Sequence, residues 1–312
     1  MTPPPHEGDG SLRDRAVAAA YLLAWRLVRL LPERWAYRWG DVVADRVASG
    51  GGRGVVRLRS NLRRVVVDLD PASEEALVRE AVRSYVRYWV DAFRLPDWDE
   101  ARVVDHVTSE GDGPVRAALA EGRGVVCWLA HLGNWDHAGA WSALRLAPVV
   151  TVAERLRPAE VYERFVAFRR SIGIRVLAHD EPGVTAELER VLRGGGFVPL
   201  LADRDLGRRG VTVPLLGEPA RVAGGPAVLA ARTGALLVPV GITYRPSSRS
   251  PSGYGLHVRF HPPVPVPDDG PEAVAAATAA VAAELGEDIR LAAADWHMLQ
   301  RVFVADLEGP RP

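Results

Sequence analysis

Residues 124–141 read GVVCWLAHLGNWDHAGAW, a short apolar run that breaks at a histidine and resumes as a helix. The run from Val125 to Ala130 follows a glycine and ends at His131. An apolar segment of that length, bounded by a turn residue, predicts a buried strand. Leu132-Gly133-Asn134 then turns the chain, and apolar residues return at helical spacing from Trp135 to Leu144. His131 is thereby set at the carboxyl end of a strand, where α/β sheets gather their chemistry. Asp136 lies five positions further on, in the first turns of the helix. On one continuous helix, residues five apart point about 140° from each other. With His131 in the loop before the helix, the Asp136 carboxylate can instead reach back to one ring nitrogen. That contact fixes the tautomer and leaves the other nitrogen as a base.

A His–Asp pair with no nucleophilic side chain beside it suggests that the base deprotonates a bound alcohol, which then attacks. The chain has no Gly-x-Ser-x-Gly elbow, so a serine hydrolase is poorly supported. Its one cysteine, Cys127, sits four residues before His131 on the same expected strand. At about 3.3 Å per residue that is about 13 Å, too far for a Cys–His dyad. The histidines lack the spacing of a metal site, so no metal is expected.

Around this stretch, short apolar runs alternate with helical segments. Strands are expected at 125–130, 149–152, 174–177, 197–202, 236–244 and 256–260. Helices are expected at 53–68, 72–95, 114–121, 158–172, 183–193, 226–233 and 271–294. The alternation predicts an α/β fold with a mostly parallel central sheet flanked by helices. The last two strands, joined by SSRSPSGYG at 247–255, read as an antiparallel hairpin at one edge. Residues 13–304 read as a single domain, with two N-terminal helices within 13–50 separated at Leu31-Pro32. Residues 1–12 read as disordered and residues 305–312 as a tail.

His131-x4-Asp136 within AHLGNWDHAGAW resembles the His-x4-Asp/Glu motif of the bacterial lysophospholipid acyltransferase superfamily. The likeness is greatest to its lipid A lauroyl/myristoyl acyltransferase branch, and within that to the actinobacterial phosphatidylinositol mannoside acyltransferases. It extends from about Arg13 to Phe303. Supporting blocks are RSNLRRV (59–65), TVAERLRPAEVYERFVAFRRSIG (151–173), LLADRDLGRRGVTVPLLGEPARVAGGPAVLAARTGALLVPV (200–240) and DWHMLQ (295–300). Ala130 stands where the glycerol-phosphate branch usually has Asn, and the later Pro-Glu-Gly-Thr block of that branch is missing.

The resemblance implies a lysophospholipid acyltransferase-like fold and an O-acyltransferase. Its expected reaction moves a fatty acyl group from acyl-CoA to a hydroxyl of a membrane glycolipid, a mannose of phosphatidylinositol mannoside. Acyl-CoA serves as co-substrate, with an acyl-carrier protein as the alternative donor, and no cofactor is implied. Other acceptors (a lipid A precursor, a lysophospholipid), a thioesterase and a non-catalytic lipid-binding protein are the rival readings. By the same resemblance an acidic group faces the catalytic histidine, Asp205 as first choice and Asp203 as second. Residues two apart share a strand face, so Arg204 is expected to point away. Glu154 and Arg169 are expected to border the substrate groove.

The 39 basic residues are all arginine and balance 39 acidic ones, so net charge says nothing about partners; no nucleic-acid partner is expected, and Schiff-base lysine chemistry is excluded. A helix starting at Gly224-Gly225-Pro226 offers free N–H groups for an anion, and with Arg208, Arg209 and Arg232 it can hold coenzyme A phosphates. The first residues are polar, without a secretory signal pattern, and the longest apolar stretch, 16–25, falls short of the roughly 20 residues needed to span a bilayer. The first helix, with Arg15, Arg26 and Arg29 on one face and Trp25 at its boundary, fits a membrane interface as well as it fits packing on the core. Five arginines between Arg53 and Arg64 are expected to attract anionic headgroups. Peripheral association with the cytoplasmic face of the plasma membrane is the resulting expectation.

Overall fold

The computed structural model describes residues 12–155, 158–205 and 210–308. The chain begins with four helices, α1 (Leu12–Leu30), α2 (Glu33–Ser49), α3 (Arg53–Val65) and α4 (Pro71–Arg94). A short α5 (Glu100–Asp105), β1 (Val107–Glu110) and α6 (Gly113–Ala120) lead into the sheet. There follow β2 (Val125–Leu129), α7 (Trp135–Arg145), β3 (Val149–Ala153), α8 (Ala159–Ser171), β4 (Ile174–Ala178), α9 (Val184–Arg193) and β5 (Phe197–Leu201). A hairpin of β6 (Val211–Leu215) and β7 (Glu218–Val222) precedes α10 (Gly225–Thr233). The chain closes with β8 (Leu236–Pro246), β9 (Tyr254–Phe260), α11 (Pro271–Leu291) and α12 (Val304–Glu308).

Seven strands form one sheet in the order β1-β9-β8-β2-β5-β3-β4, and only β8 and β9 pair antiparallel. The alternation of strand and helix read from the sequence thus gives the expected α/β architecture. Two details differ. The β8–β9 hairpin does not form an edge, because β1 pairs parallel to β9 and covers it. The β6–β7 hairpin and β1 are strands beyond those expected. β1 is four residues long and mostly exposed, so it lacks the apolar alternation that marks a strand.

Central strand β2 is buried along its whole length, and its side chains divide between two cores. Val126 and Trp128 face one layer with Leu188, Leu229, Val281 and Leu285 from α9, α10 and α11. Cys127 and Leu129 face the other, with Ala138 and Trp141 of α7 and Phe165 and Phe168 of α8. This period of two is why a central parallel strand reads as an unbroken apolar run.

The N-terminal helices are joined to this body. Asp70 caps α4 by accepting from the Ala72 and Ser73 amides, and Pro71 fills the first turn. Trp25, expected at a membrane boundary, is instead packed: its Nε1 donates to the Phe93 carbonyl at 3.1 Å and its ring stacks on Phe93. The Arg15 side chain and residues 1–11 lie outside the described residues. Four of the five arginines of α3 are paired with acidic residues of neighbouring elements. Arg57 pairs with Asp306, Arg59 with Glu74 and Glu75, Arg63 with Glu74, and Arg64 with Glu218 and Asp306. The expectation that this row attracts headgroups is therefore corrected for those four residues, whose charges pin α3 to α4, β7 and α12. No described helix is long and apolar enough to cross a membrane.

Candidate active site

β2 and β5 are parallel neighbours in register, with Leu129 beside Leu201. Two residues further along both chains stand His131 and Asp203. The Ala202 amide still donates to the Leu129 carbonyl at 2.9 Å, so the register holds as the strands end. Asp203 Oδ1 lies 2.6 Å from His131 Nδ1, and Oδ2 accepts from the His131 amide at 2.9 Å and from Trp296 Nε1 at 3.0 Å. Burial alone would raise this carboxyl, but the facing imidazole and these hydrogen bonds outweigh it and hold it below the usual carboxylate range. An ionised Asp203 accepting from Nδ1–H leaves Nε2 as the free nitrogen of the ring.

The turn that carries His131 is fixed from three sides. Gly133 has φ +61°, and a Cβ there would stand 2.4 Å from the Ile242 carbonyl oxygen, so glycine is required on both counts. Asn134 caps α7 by accepting from the His137 amide and donates its own NH2 to buried Asp91. The segment Asp295-Trp296-His297 lies across the turn. The Gly133 amide donates to the Asp295 carbonyl at 2.9 Å, and the His297 amide donates to the His131 carbonyl at 2.8 Å.

Asp136 does not reach back to His131 as expected. It is buried in α7, where Oδ1 accepts from Arg169 Nε at 2.7 Å and Oδ2 from the Tyr88 hydroxyl at 2.8 Å. The N-cap geometry explains the difference: the first turn of α7 aims Asp136 at α4 and α8, away from the end of β5. Asp205, first choice to face the histidine, accepts from the Gly210 amide at 2.8 Å, while the imidazole is held by Asp203, the second choice. Register accounts for this too, because position 203 is level with 131 and the chain has left the strand by 205.

Glu154 and Arg169 both line the cleft onto which His131 opens. Arg204, expected to point away, lines it as well and donates to Glu154 at 2.9 Å. Past the strand end, face alternation no longer governs side-chain direction. Arg209 lies outside the described residues, as does Arg208. Arg232 is not part of this site. It pairs with Asp269 near the start of β8, where Leu236 is level with Val125, the first residue of β2. His131 is six residues further along, or about 20 Å. The expected anion site at Gly224-Gly225-Pro226 thus does not include Arg232.

The cleft is open at its mouth, and its walls include Tyr85, Tyr88, Trp89, Trp135, Tyr162 and His297. Trp135 meets the His131 ring edge to face at 5.4 Å and packs against Tyr88 at 4.2 Å. A second, narrow cavity lies behind it, between α7 and one face of the sheet. Its lining alternates along the strands, with Cys127 and Leu129, Thr151, Phe197 and Pro199, and Val240 and Ile242, and is mostly apolar. Trp135, Val152, Arg169 and Leu201 line both spaces. The Cys127 thiol, pushed up by burial, faces this cavity as a small apolar group.

Tyr88, Trp296 and His297 join the site with no motif to mark them as site residues. Trp296 and His297 stand in the block DWHMLQ, but neither length nor periodicity shows that this segment returns to the histidine turn. Tyr88 gives no local signal within the helical pattern of α4.

A sequence model of the family described as bacterial lipid A biosynthesis acyltransferase matches residues 11–304. The chain is 39% identical over 294 residues to a phosphatidylinositol mannoside acyltransferase of Mycolicibacterium smegmatis, spanning 93% of this chain and 92% of that protein. It is also 39% identical over 313 residues to a protein of the same name from Mycobacterium tuberculosis strain H37Rv, spanning 98% and 95%.

Proposed function

The chain belongs to the bacterial lipid A biosynthesis acyltransferase family, and from that membership we propose that it moves a fatty acyl group from acyl-CoA to a mannose hydroxyl of phosphatidylinositol mannoside. One observation carries this reading: an imidazole backed by a buried carboxylate stands in a cleft that shares its walls with a mostly apolar cavity. The acyl chain occupies the inner cavity and its thioester carbonyl rests in the cleft beside His131. The sugar hydroxyl hydrogen-bonds to Nε2. As its oxygen attacks, His131 takes the proton, and Asp203 stabilises the imidazolium that forms. The new C–O bond replaces the C–S bond, and the proton on Nε2 passes to the departing sulfur. Asp136, Arg169 and Tyr88 hold the wall between the two spaces in place. Glu154 and Arg204, at the cleft's rim, are suited to sugar hydroxyls. The names of the relatives support the acceptor.

Peripheral association with the cytoplasmic face of the plasma membrane belongs to the same proposal. Leu23, Leu27, Leu30, Trp35, Trp39, Val42, Val43 and Val47 of α1 and α2 are all exposed, Leu30 at 81%. Apolar surface concentrated in this way marks an interaction site.

Purified protein given palmitoyl-CoA should release free thiol fast with phosphatidylinositol mannoside and slowly without it. His131→Ala should abolish the acceptor-dependent rate while the circular dichroism spectrum stays unchanged. Equal rates with and without acceptor, or full transfer by the variant, would sink the proposal.

A further inference from the structure

A groove between α1 and α8 lies apart from the cleft. Arg26 and Arg29 of α1 and Arg164 of α8 line it, with Trp25, Pro96 and Phe168 among its other walls. The floor is rigid: Trp25 and Phe168 are both buried and meet edge to face at 5.7 Å. Arg29 is tied to Asp97 by its Nε at 2.7 Å, while Arg26 and Arg164, both exposed, add two further positive charges.

The order of residues around α1 decides what such a groove suits. At about 100° per residue, one passes from Trp25 on the packed face to Arg29, then Arg26, then Leu30, Leu23 and Leu27. Leu23 and Leu27 are 57% and 50% exposed. The guanidinium row therefore stands at the boundary between the protein core and an exposed apolar row. Arginine stems lie along apolar surface while their heads stay at the polar level. A guanidinium matches two phosphate oxygens at once.

We propose that this groove binds the phosphodiester headgroup of an anionic phospholipid when the α1 leucines rest on a bilayer, a site separate from the transfer site. The proposal rests on the peripheral membrane reading above. Its site is built from two helices 138 positions apart in sequence, counting from Arg26 to Arg164, so it depends on the fold and not on one basic stretch.

The test is flotation of the full-length protein with vesicles of phosphatidylcholine alone, or of phosphatidylcholine with phosphatidylglycerol. The wild type should partition more strongly onto the anionic vesicles. Arg26→Gln/Arg164→Gln should lose that preference about thirtyfold, about fivefold per arginine, with an unchanged melting temperature and unchanged binding to neutral vesicles. Arg175→Gln/Arg190→Gln, at exposed arginines of β4 and α9, should bind as wild type. Equal losses in both double variants, or wild-type partitioning indifferent to lipid charge, would overturn the proposal while leaving membrane docking intact. No binding to either vesicle would overturn both. Stabilisation of the wild type by inorganic phosphate without vesicles, lost in the Arg26/Arg164 variant, would assign the groove to a soluble anion and also overturn it.

Discussion

Asp203 and Asp136 are both buried carboxylates beside the same cleft, but their partners give them different duties. Asp203 holds an imidazole, so its loss should show in the chemistry. Asparagine keeps the shape and can present an N–H to Nδ1, favouring the tautomer whose Nε2 is no longer free to accept. Asp203→Asn should therefore lower kcat by about a hundredfold or more with the fold intact, measured by acceptor-dependent thiol release. A kcat within threefold of wild type would contradict the role. Asp136 instead neutralises Arg169, which is itself buried, and binds the Tyr88 hydroxyl. Removing one partner of a buried ion pair leaves the other charge stranded, at a cost of about 3–5 kcal/mol. Asp136→Ala should show that loss in urea denaturation, and Asp136→Leu/Arg169→Met should recover most of it. Failure of the pair to recover stability would mean that Asp136 matters for something other than charge balance.

At the scale of elements, the legible part and the hidden part of the site have one origin. The strand–turn–helix around His131 is local, so apolar run, glycine and cap residue announce it. The choice between Asp203 and Asp205 depends on how β5 is shifted against β2, which no local pattern contains. The strap formed by Asp295-Trp296-His297 was equally invisible, because its backbone bonds to the histidine turn join residues more than 160 positions apart. The inner cavity is of the same kind: its lining residues look like ordinary core positions until α7 and the strands are placed around one space. Ser142 lies on α7 seven residues past Trp135, about 10 Å deeper along the helix, and it lines that cavity. Ser142→Phe should fill this depth. In the proposed reaction it should lower kcat/KM for palmitoyl-CoA by tenfold or more while sparing butyryl-CoA. Equal loss for both donors would mean that the acyl chain does not enter under α7.

Across the whole molecule, the fold was legible because strands and helices alternate with unmistakable turn residues, and the exposed face of α1 was legible only as an ambiguity. Apolar helices that pack and apolar helices that dock look alike until neighbours are placed, and Trp25 shows both possibilities meeting on one helix. The same burial has a consequence for acid stability. His137 and His297 are enclosed, and burial pulls them to about 4 and about 3. In the unfolded chain a histidine titrates near 6.5. Between those values the unfolded chain binds protons that the folded chain refuses, so stability is complete above about pH 6.5 and falls as pH drops. From pH 7 to 5.5 the two rings together should remove about 2–3 kcal/mol, at most about 1.4 kcal/mol per ring per pH unit. Asp91 and Asp295, raised by burial, act in the opposite direction to the two histidines. His297→Gln should therefore flatten the fall in unfolding free energy between pH 7 and 5.5 by about half, measured by urea titration at each pH. A slope identical to wild type would show that His297 is protonated in the folded protein, and that the strap over the catalytic turn is wetter than its packing against Tyr85, Tyr88 and Trp135 implies.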